Sequence, residues 1–203
     1  MYIPRSYQMS VPDEVVQFIQ TYSFGILFTQ HEGKPVATHL PFYYDAKENV
    51  LLAHMARANS QCQTLNKKTG LVVFSGPHTY ISPSWYEIPA SVPTWNYTAV
   101  HVVGTCTIVQ SEEELAAILD KSVQFYEPAS ELSTHADEPF YRNMMKGIVG
   151  FRIEITGMEG QAKLSQNKSV EIQQRIISKL SASPDANAQE VAQLMQERQL
   201  KKV

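Results

Sequence analysis

Apolar and polar residues alternate in short runs over the first 160 positions and fall into a helical period after Asn167, the signatures of strand and helix respectively. A first helix is predicted from Ser10, with Ser10 as cap, Pro12, Asp13 and Glu14 in its first turn, and an apolar face of Val15, Val16, Phe18, Ile19 and Tyr22. Phe24 to Thr29 reads as a strand, Glu32-Gly33 as a turn, Pro35 to Tyr44 as a second strand and Val50 to Ala56 as a third. A short helix opens at Arg57 and ends near Gly70. Leu71 to Ser75 is a fourth strand, which His78 to Ser82 continues or pairs with. Pro77, Pro83, Pro89 and Pro93 mark loops, because proline removes a backbone donor. Tyr97 to Val109 is the longest predicted strand, with Tyr97, Ala99, His101 and Val103 on one face and Thr98, Val100 and Val102 on the other. Helices follow over 111–127, capped by Ser111 and led by Glu112, Glu113 and Glu114, and over 137–146. Val149 to Met158 is the last strand. Helices over 169–182 and 187–200 flank a Ser-Pro-Asp break. Antiparallel hairpins with helices at their ends define an α+β class that is mainly antiparallel β, a small barrel with peripheral helices and a C-terminal helical segment. The expected division is a barrel domain over 1–164 and a helical extension over 165–203.

Composition narrows the classes. No apolar run approaches the roughly 18 residues that span a bilayer, and the first residues lack the basic-then-apolar order of a secretory signal, so no membrane partner is expected. Cys62 and Cys106 stand far apart, without a Cys/His cluster, which argues against structural zinc and for a cytoplasmic setting. A net charge of −3 argues against a protein that coats nucleic acid. Its distribution is uneven: residues 1–160 carry 10 basic against 16 acidic side chains, and residues 161–203 carry 7 against 4. That asymmetry hints at a separate partner for the C-terminal segment.

Three groups carry candidate chemistry. Arg57, Asn59 and Ser60 sit where a strand gives way to a helix, a place suited to phosphate through an arginine fork and free N–H groups. Capping by Asn59 or Ser60 is the ordinary alternative. His39, His54, His78 and His101 lie on or beside strands, but no ligand spacing or carboxylate partner supports a metal. Lys163, Ser165, Gln166, Asn167 and Lys168 crowd a linker before the first terminal helix, suited either to an anionic ligand or to capping that helix. Residues 76–106 hold both tryptophans among four prolines, an aromatic stretch that either covers a core or lines a site for something flat. No GxSxG elbow is present, so serine hydrolase chemistry finds no support.

The runs His54-Met-Ala-Arg-Ala-Asn, His78-Thr-Tyr-Ile-Ser-Pro-Ser-Trp-Tyr, Val92-Pro-Thr-Trp-Asn-Tyr-Thr-Ala-Val-His-Val-Val-Gly and Lys163-Leu-Ser-Gln-Asn-Lys-Ser resemble the PaiB family along essentially the whole chain. These are bacterial negative regulators of protease synthesis and sporulation, also described as FMN-binding negative transcriptional regulators. Ser60 departs from the resemblance, standing where that family's pattern has proline. The resemblance implies a split β-barrel of the flavin reductase and pyridoxamine-phosphate oxidase type, a homodimer with FMN at the subunit interface. It places Arg57, Asn59 and Ser60 at the phosphate and Thr38, His39 and Leu40 along the isoalloxazine ring. Trp95, Asn96 and Tyr97 would face the ligand of the other subunit, and Lys163 and Gln166 would contact ligand or interface. The implied role is a cytoplasmic repressor, binding DNA directly or acting through another regulator. A flavin-dependent reductase or oxidase and a haem-handling protein on the same barrel are the alternatives.

Overall fold

In the computed structural model, which describes residues 1–129 and 138–200, the alternating segments form seven strands. They are β1 (Phe24–His31), β2 (Lys34–Pro41), β3 (Tyr43–Asp45), β4 (Val50–Ala56), β5 (Lys68–Ile81), β6 (Thr94–Ile108) and β7 (Ile148–Lys163). They join in the order β2-β1-β5-β6-β7-β4-β3, an antiparallel sheet of the split-barrel type. The helices are α1 (Asp13–Thr21), α2 (Cys62–Leu65), α3 (Glu112–Tyr126), α4 (Pro139–Met145), α5 (Val170–Ser181) and α6 (Ala186–Leu200). The expected helix over 137–146 is α4, and its first residue, 137, lies outside the described residues, as do 201–203.

The chain forms two compact units. One comprises residues 16–74 and 101–158. Its β1–β2 hairpin turns through Glu32 (φ 49°) and Gly33 (φ 76°), the left-handed pair that a two-residue hairpin loop requires. Leu27 pairs with Val72 of β5, and Ala53 of β4 pairs with Phe151 of β7. Leu27, Leu51, Phe74, Phe151 and Ile153 are fully buried, and Phe42 meets Phe74 edge-on at 5.6 Å. The Ser111 hydroxyl accepts from Glu114 N at 3.1 Å and caps α3, as the sequence predicts.

The other unit comprises residues 1–15, 75–100 and 159–203. α5 buries Ile172, Ile176, Ile177 and Leu180, and α6 buries Ala188, Val191, Ala192 and Met195, each an i, i+3/i+4 stripe. Gln174 and Gln199 are bonded at 2.6 Å, so the two helices fold back antiparallel across the Ser-Pro-Asp break.

Several expectations are corrected. The strand over Pro35 to Tyr44 divides in two, because Phe42 buries its ring and donates its N–H to Ser23 O at 2.9 Å. The helix after Arg57 is one turn long. Lys67 adopts φ 58° and donates to Cys106 O, which draws the chain straight into β5. Pro77 marks no loop: it lies buried inside β5, beyond the last residue paired with β1 at Phe74, where that edge needs no N–H. β7, at 16 residues, exceeds β6, at 15. It absorbs Gln161, Ala162 and Lys163 from the expected linker because Met9 N donates to Gly160 O and Gln8 bridges Gln161. At the start of α1 the Ser10 N–H donates to Glu14 Oε2 at 2.7 Å.

Asp45, 5% exposed, accepts from Lys121 Nζ at 2.6 Å and from the backbone N–H groups of Lys47 and Glu48. The Lys121 hydrogen bond, helped by those N–H groups, holds the Asp45 carboxyl below its ordinary range. The stability this confers is whole above the unfolded-state value, about 3.9, and is lost as pH falls through the lower folded value. Urea unfolding across that acid window is expected to fall more steeply for wild type than for Asp45→Asn. Parallel pH profiles would refute the linkage.

Candidate functional site

In the unit of residues 16–74 and 101–158, β2 is the first strand of the sheet and Thr38 lies on it. The Thr38 hydroxyl donates to Gln61 Oε1 and accepts from Asn59 Nδ2 at 3.0 Å. Asn59 Oδ1 accepts from Gln61 N at 2.9 Å. Gln61, 1% exposed, then donates to Leu27 O at 3.2 Å and to the Thr29 hydroxyl at 2.8 Å. One buried amide thus ties the turn after β4 to β1 and β2. The exposed His39 ring stacks on Phe24 with centroids 6.3 Å apart and planes 27° apart, while Leu40 turns inward at 6% exposure. Ser60 is exposed, and its carbonyl accepts from Gln63 N. Thr38, His39, Asn59 and Ser60 are therefore held on neighbouring segments, with Leu40 available only through its backbone.

Arg57 departs from its neighbours. Its Nε donates to Lys146 O and its Nη2 to Ile148 O, both at 2.8 Å, and its N–H goes to Gly147 O. Nη1 has no partner among the described residues. The following helix is a single turn, too short to sum a useful dipole, so any anion held here relies on side chains.

In the other unit, Trp95 is 52% exposed and plugs no core. His78 lies 6.1 Å from its ring and Tyr80 meets it edge-on at 6.3 Å. These three form an outward aromatic cluster on β5 and β6. Asn96 points the opposite way, fully buried, accepting from Ser165 Oγ at 3.0 Å and donating to Met195 Sδ at 3.5 Å. Tyr97 donates to Gln161 Oε1 at 3.0 Å. Lys163 donates to Thr94 Oγ1 and, at 2.7 Å, to Trp95 O, and burial pushes its pKa down. Gln166 accepts from Leu164 N at 2.6 Å and donates to Ala162 O, closing the turn around Ser165 (φ 61°). Asn96, Tyr97 and Lys163 thus knit residues 94–97 to residues 161–165, and Gln166 closes the turn within that second segment.

The four histidines make no metal site: among the described residues no group of three His, Cys, Asp or Glu side chains could hold an ion. Burial pushes His54 toward its neutral form and raises the Cys106 thiol to about 11. No helix among the described residues is long and apolar enough to cross a membrane. Gln61 escapes sequence reasoning because a lone glutamine after a turn carries no motif.

The fold is an antiparallel split barrel, and its β2 edge carries polar groups beside the His39–Phe24 stack. Residues 1–157 match the family described as "Putative FMN-binding domain", and the chain belongs to that family. It is 35% identical over 215 aligned positions, covering all of both chains, to the Bacillus subtilis (strain 168) protein named Protease synthase and sporulation protein PAI 2. Among solved structures it is similar to a FAD and heme binding protein from Mycobacterium smegmatis, with TM-score 0.63 and 13% identity over 82% of this chain and 78% of that one. It is also similar to the flavocytochrome Anf3 from Azotobacter vinelandii, with TM-score 0.64 and 13% identity over 79% and 72%. At such identity the structural likeness carries the fold alone. The cofactor is FMN, and the residues present fit it. The Ser60 hydroxyl, the remaining Asn59 amide proton and Arg57 Nη1 make a donor set of phosphate type, and the His39–Phe24 stack offers a flat aromatic face.

Proposed function

We propose that this protein is an FMN-loaded negative regulator of transcription, of the kind that governs protease synthesis and sporulation, and that it works as a cytoplasmic homodimer. The observation that carries this reading is the full-length identity to the Bacillus subtilis protein, which spans both compact units. FMN supplies redox capacity when bound. The chain's own part is to fix the phosphate through Arg57, Asn59 and Ser60 and to lay Thr38, His39 and Leu40 along the ring. The cluster of His78, Tyr80 and Trp95, with exposed Ile88 and Val92 in the same unit, suits a contact with a second copy near its flavin.

FMN is expected to bind far more tightly than riboflavin. Charge-assisted bonds to phosphate contribute about 1.5–3 kcal/mol each, so Arg57→Ala should weaken FMN by roughly one to two decades. Ser60→Ala, which removes no side-chain hydrogen bond among the described residues, separates phosphate binding from folding. Fluorescence titration with both flavins checks this, and equal affinities for FMN and riboflavin would remove the phosphate site. Sedimentation of the same samples as single chains at every concentration would remove the dimer.

Regulation is indirect in this reading. α5 and α6 present few basic groups, and two of them are engaged: Arg175 with Tyr86 O and Glu87, and Arg198 with Gln8 O and Glu14. Direct DNA binding should therefore show a shallow salt dependence, with a slope on the order of −2 to −4 per chain. Tight binding to one promoter fragment with a much steeper slope would overturn the indirect reading.

A further inference from the structure

A groove of about 420 Å³ opens in the unit of residues 16–74 and 101–158. Its lining runs from Arg57 and the α2 residues Cys62 and Gln63, past residues 108–112, to Met145, Lys146 and the start of β7. None of Thr38, His39, Leu40, Asn59 or Ser60 borders it. Its size falls within the few hundred to 1,000 Å³ typical of small-molecule sites, roughly. The floor is apolar: Leu115, Met145 and Val149 line it and are each less than a tenth exposed.

The ionisable groups on the groove differ in what they can still do. Arg57 is fixed by its two bonds to the carbonyls of Lys146 and Ile148, so its guanidinium is already oriented with Nη1 unspent. Lys146 is exposed, and its side chain makes no bond within the described residues. The Ser111 hydroxyl is used in capping α3. The Cys62 thiol donates to Ala56 O at 3.6 Å, and burial raises its pKa, which disfavours the thiolate. Glu112 also lines the groove and disfavours a doubly charged head. Two cations, one carboxylate and an apolar floor leave room for a single negative charge on an apolar body.

We infer that this groove is a second ligand site, separate from the flavin face, for a small monocarboxylate with an aromatic or branched apolar body. The carboxylate lies on Lys146 and takes one of the two Nη1 protons of Arg57, the other being left for the flavin phosphate, and the body covers Leu115, Met145 and Val149. Arg57 stands at the junction of this groove and the turn that carries Asn59 and Ser60. The site rests on the reading of the protein as a regulator only in giving it an effector to sense. Its test is independent of DNA.

The probe is 1-naphthoate, titrated by calorimetry into the FMN-loaded protein, with 1-naphthamide as its uncharged counterpart. One naphthoate per chain is expected, bound about tenfold more tightly than the amide, since a charge-assisted bond of modest exposure is worth about that factor. Lys146→Gln alters an exposed side chain and should weaken naphthoate about three- to tenfold while leaving FMN affinity unchanged. Gln63→Trp, at an exposed rim position, should fill the groove and abolish naphthoate binding with FMN retained. Absence of binding, equal affinity for acid and amide, indifference to both substitutions, or displacement of naphthoate by excess FMN would each overturn the second site. Displacement would assign the groove to the flavin itself. Loss of the FMN-over-riboflavin preference would strike the flavin reading without touching this one.

Discussion

Gly104→Ala is expected to destabilise the protein by about 3 kcal/mol or more and to leave little folded material. Gly104 lies inside β6, where a Cβ would stand 2.4 Å from Glu154 O and 2.6 Å from Ile153 Cγ2. The obstacle is a backbone carbonyl of β7, the strand held between β6 and β4. A side chain can change rotamer, but a carbonyl in a doubly paired strand cannot retreat without breaking ladder bonds on both sides. Gly157→Ala is the control, because nothing lies within 4 Å of its added methyl. It should be neutral, or stabilising by about 0.4–1 kcal/mol through lost freedom of the unfolded chain. Gly150→Ala should fall between them, since its nearest neighbours are the side-chain methyls of Leu115 and Val109. Urea midpoints for the three variants check the order. A Gly104→Ala protein as stable as Gly157→Ala would mean that β6 and β7 are not locked as described.

How far the fold could be read from the sequence depended on where the deciding forces act. The β1–β2 hairpin was legible because Glu32-Gly33 supplies its own left-handed turn. The capped helix α3 and the α5–α6 pair were legible because their periods and their breakers are local. The extent of β7 was not. Its last residues are held by Met9 and Gln8, some 150 positions away in the chain. Pro77 misled for a similar reason, since whether a proline is tolerated in a strand depends on which neighbour that strand has at that position. The site divided in the same way. Arg57, Asn59 and Ser60 are adjacent in sequence and invite one role, yet Arg57 reaches the carbonyls around Gly147 while Asn59 turns to Thr38. Trp95 and Asn96 are likewise neighbours on a strand, and strand alternation sends one outward and buries the other.

Gln61→Leu is expected to cost about 2–4 kcal/mol of stability and to weaken FMN at the same time. Leucine is close to glutamine in size, so the volume is kept and the change is chemical. The substitution leaves Leu27 O and the Thr29 hydroxyl without the amide donor that now reaches both. It also leaves the Thr38 hydroxyl without its acceptor. Each lies in a part-buried or buried setting where an unmet polar group is costly. The backbone N–H of residue 61 still reaches Asn59 Oδ1, so the turn itself survives. What is lost is the tie that holds this turn against β1 and β2, and with it the relative placing of Thr38, Asn59 and Ser60. A flavin phosphate needs the Asn59 and Ser60 donors at fixed separation, so FMN affinity should fall severalfold. Riboflavin, which lacks the phosphate, should be affected far less. Flavin titrations below the unfolding midpoint of the variant separate the two effects. If Gln61→Leu folds with wild-type stability, or if it weakens FMN and riboflavin equally, the buried amide does not organise the phosphate site.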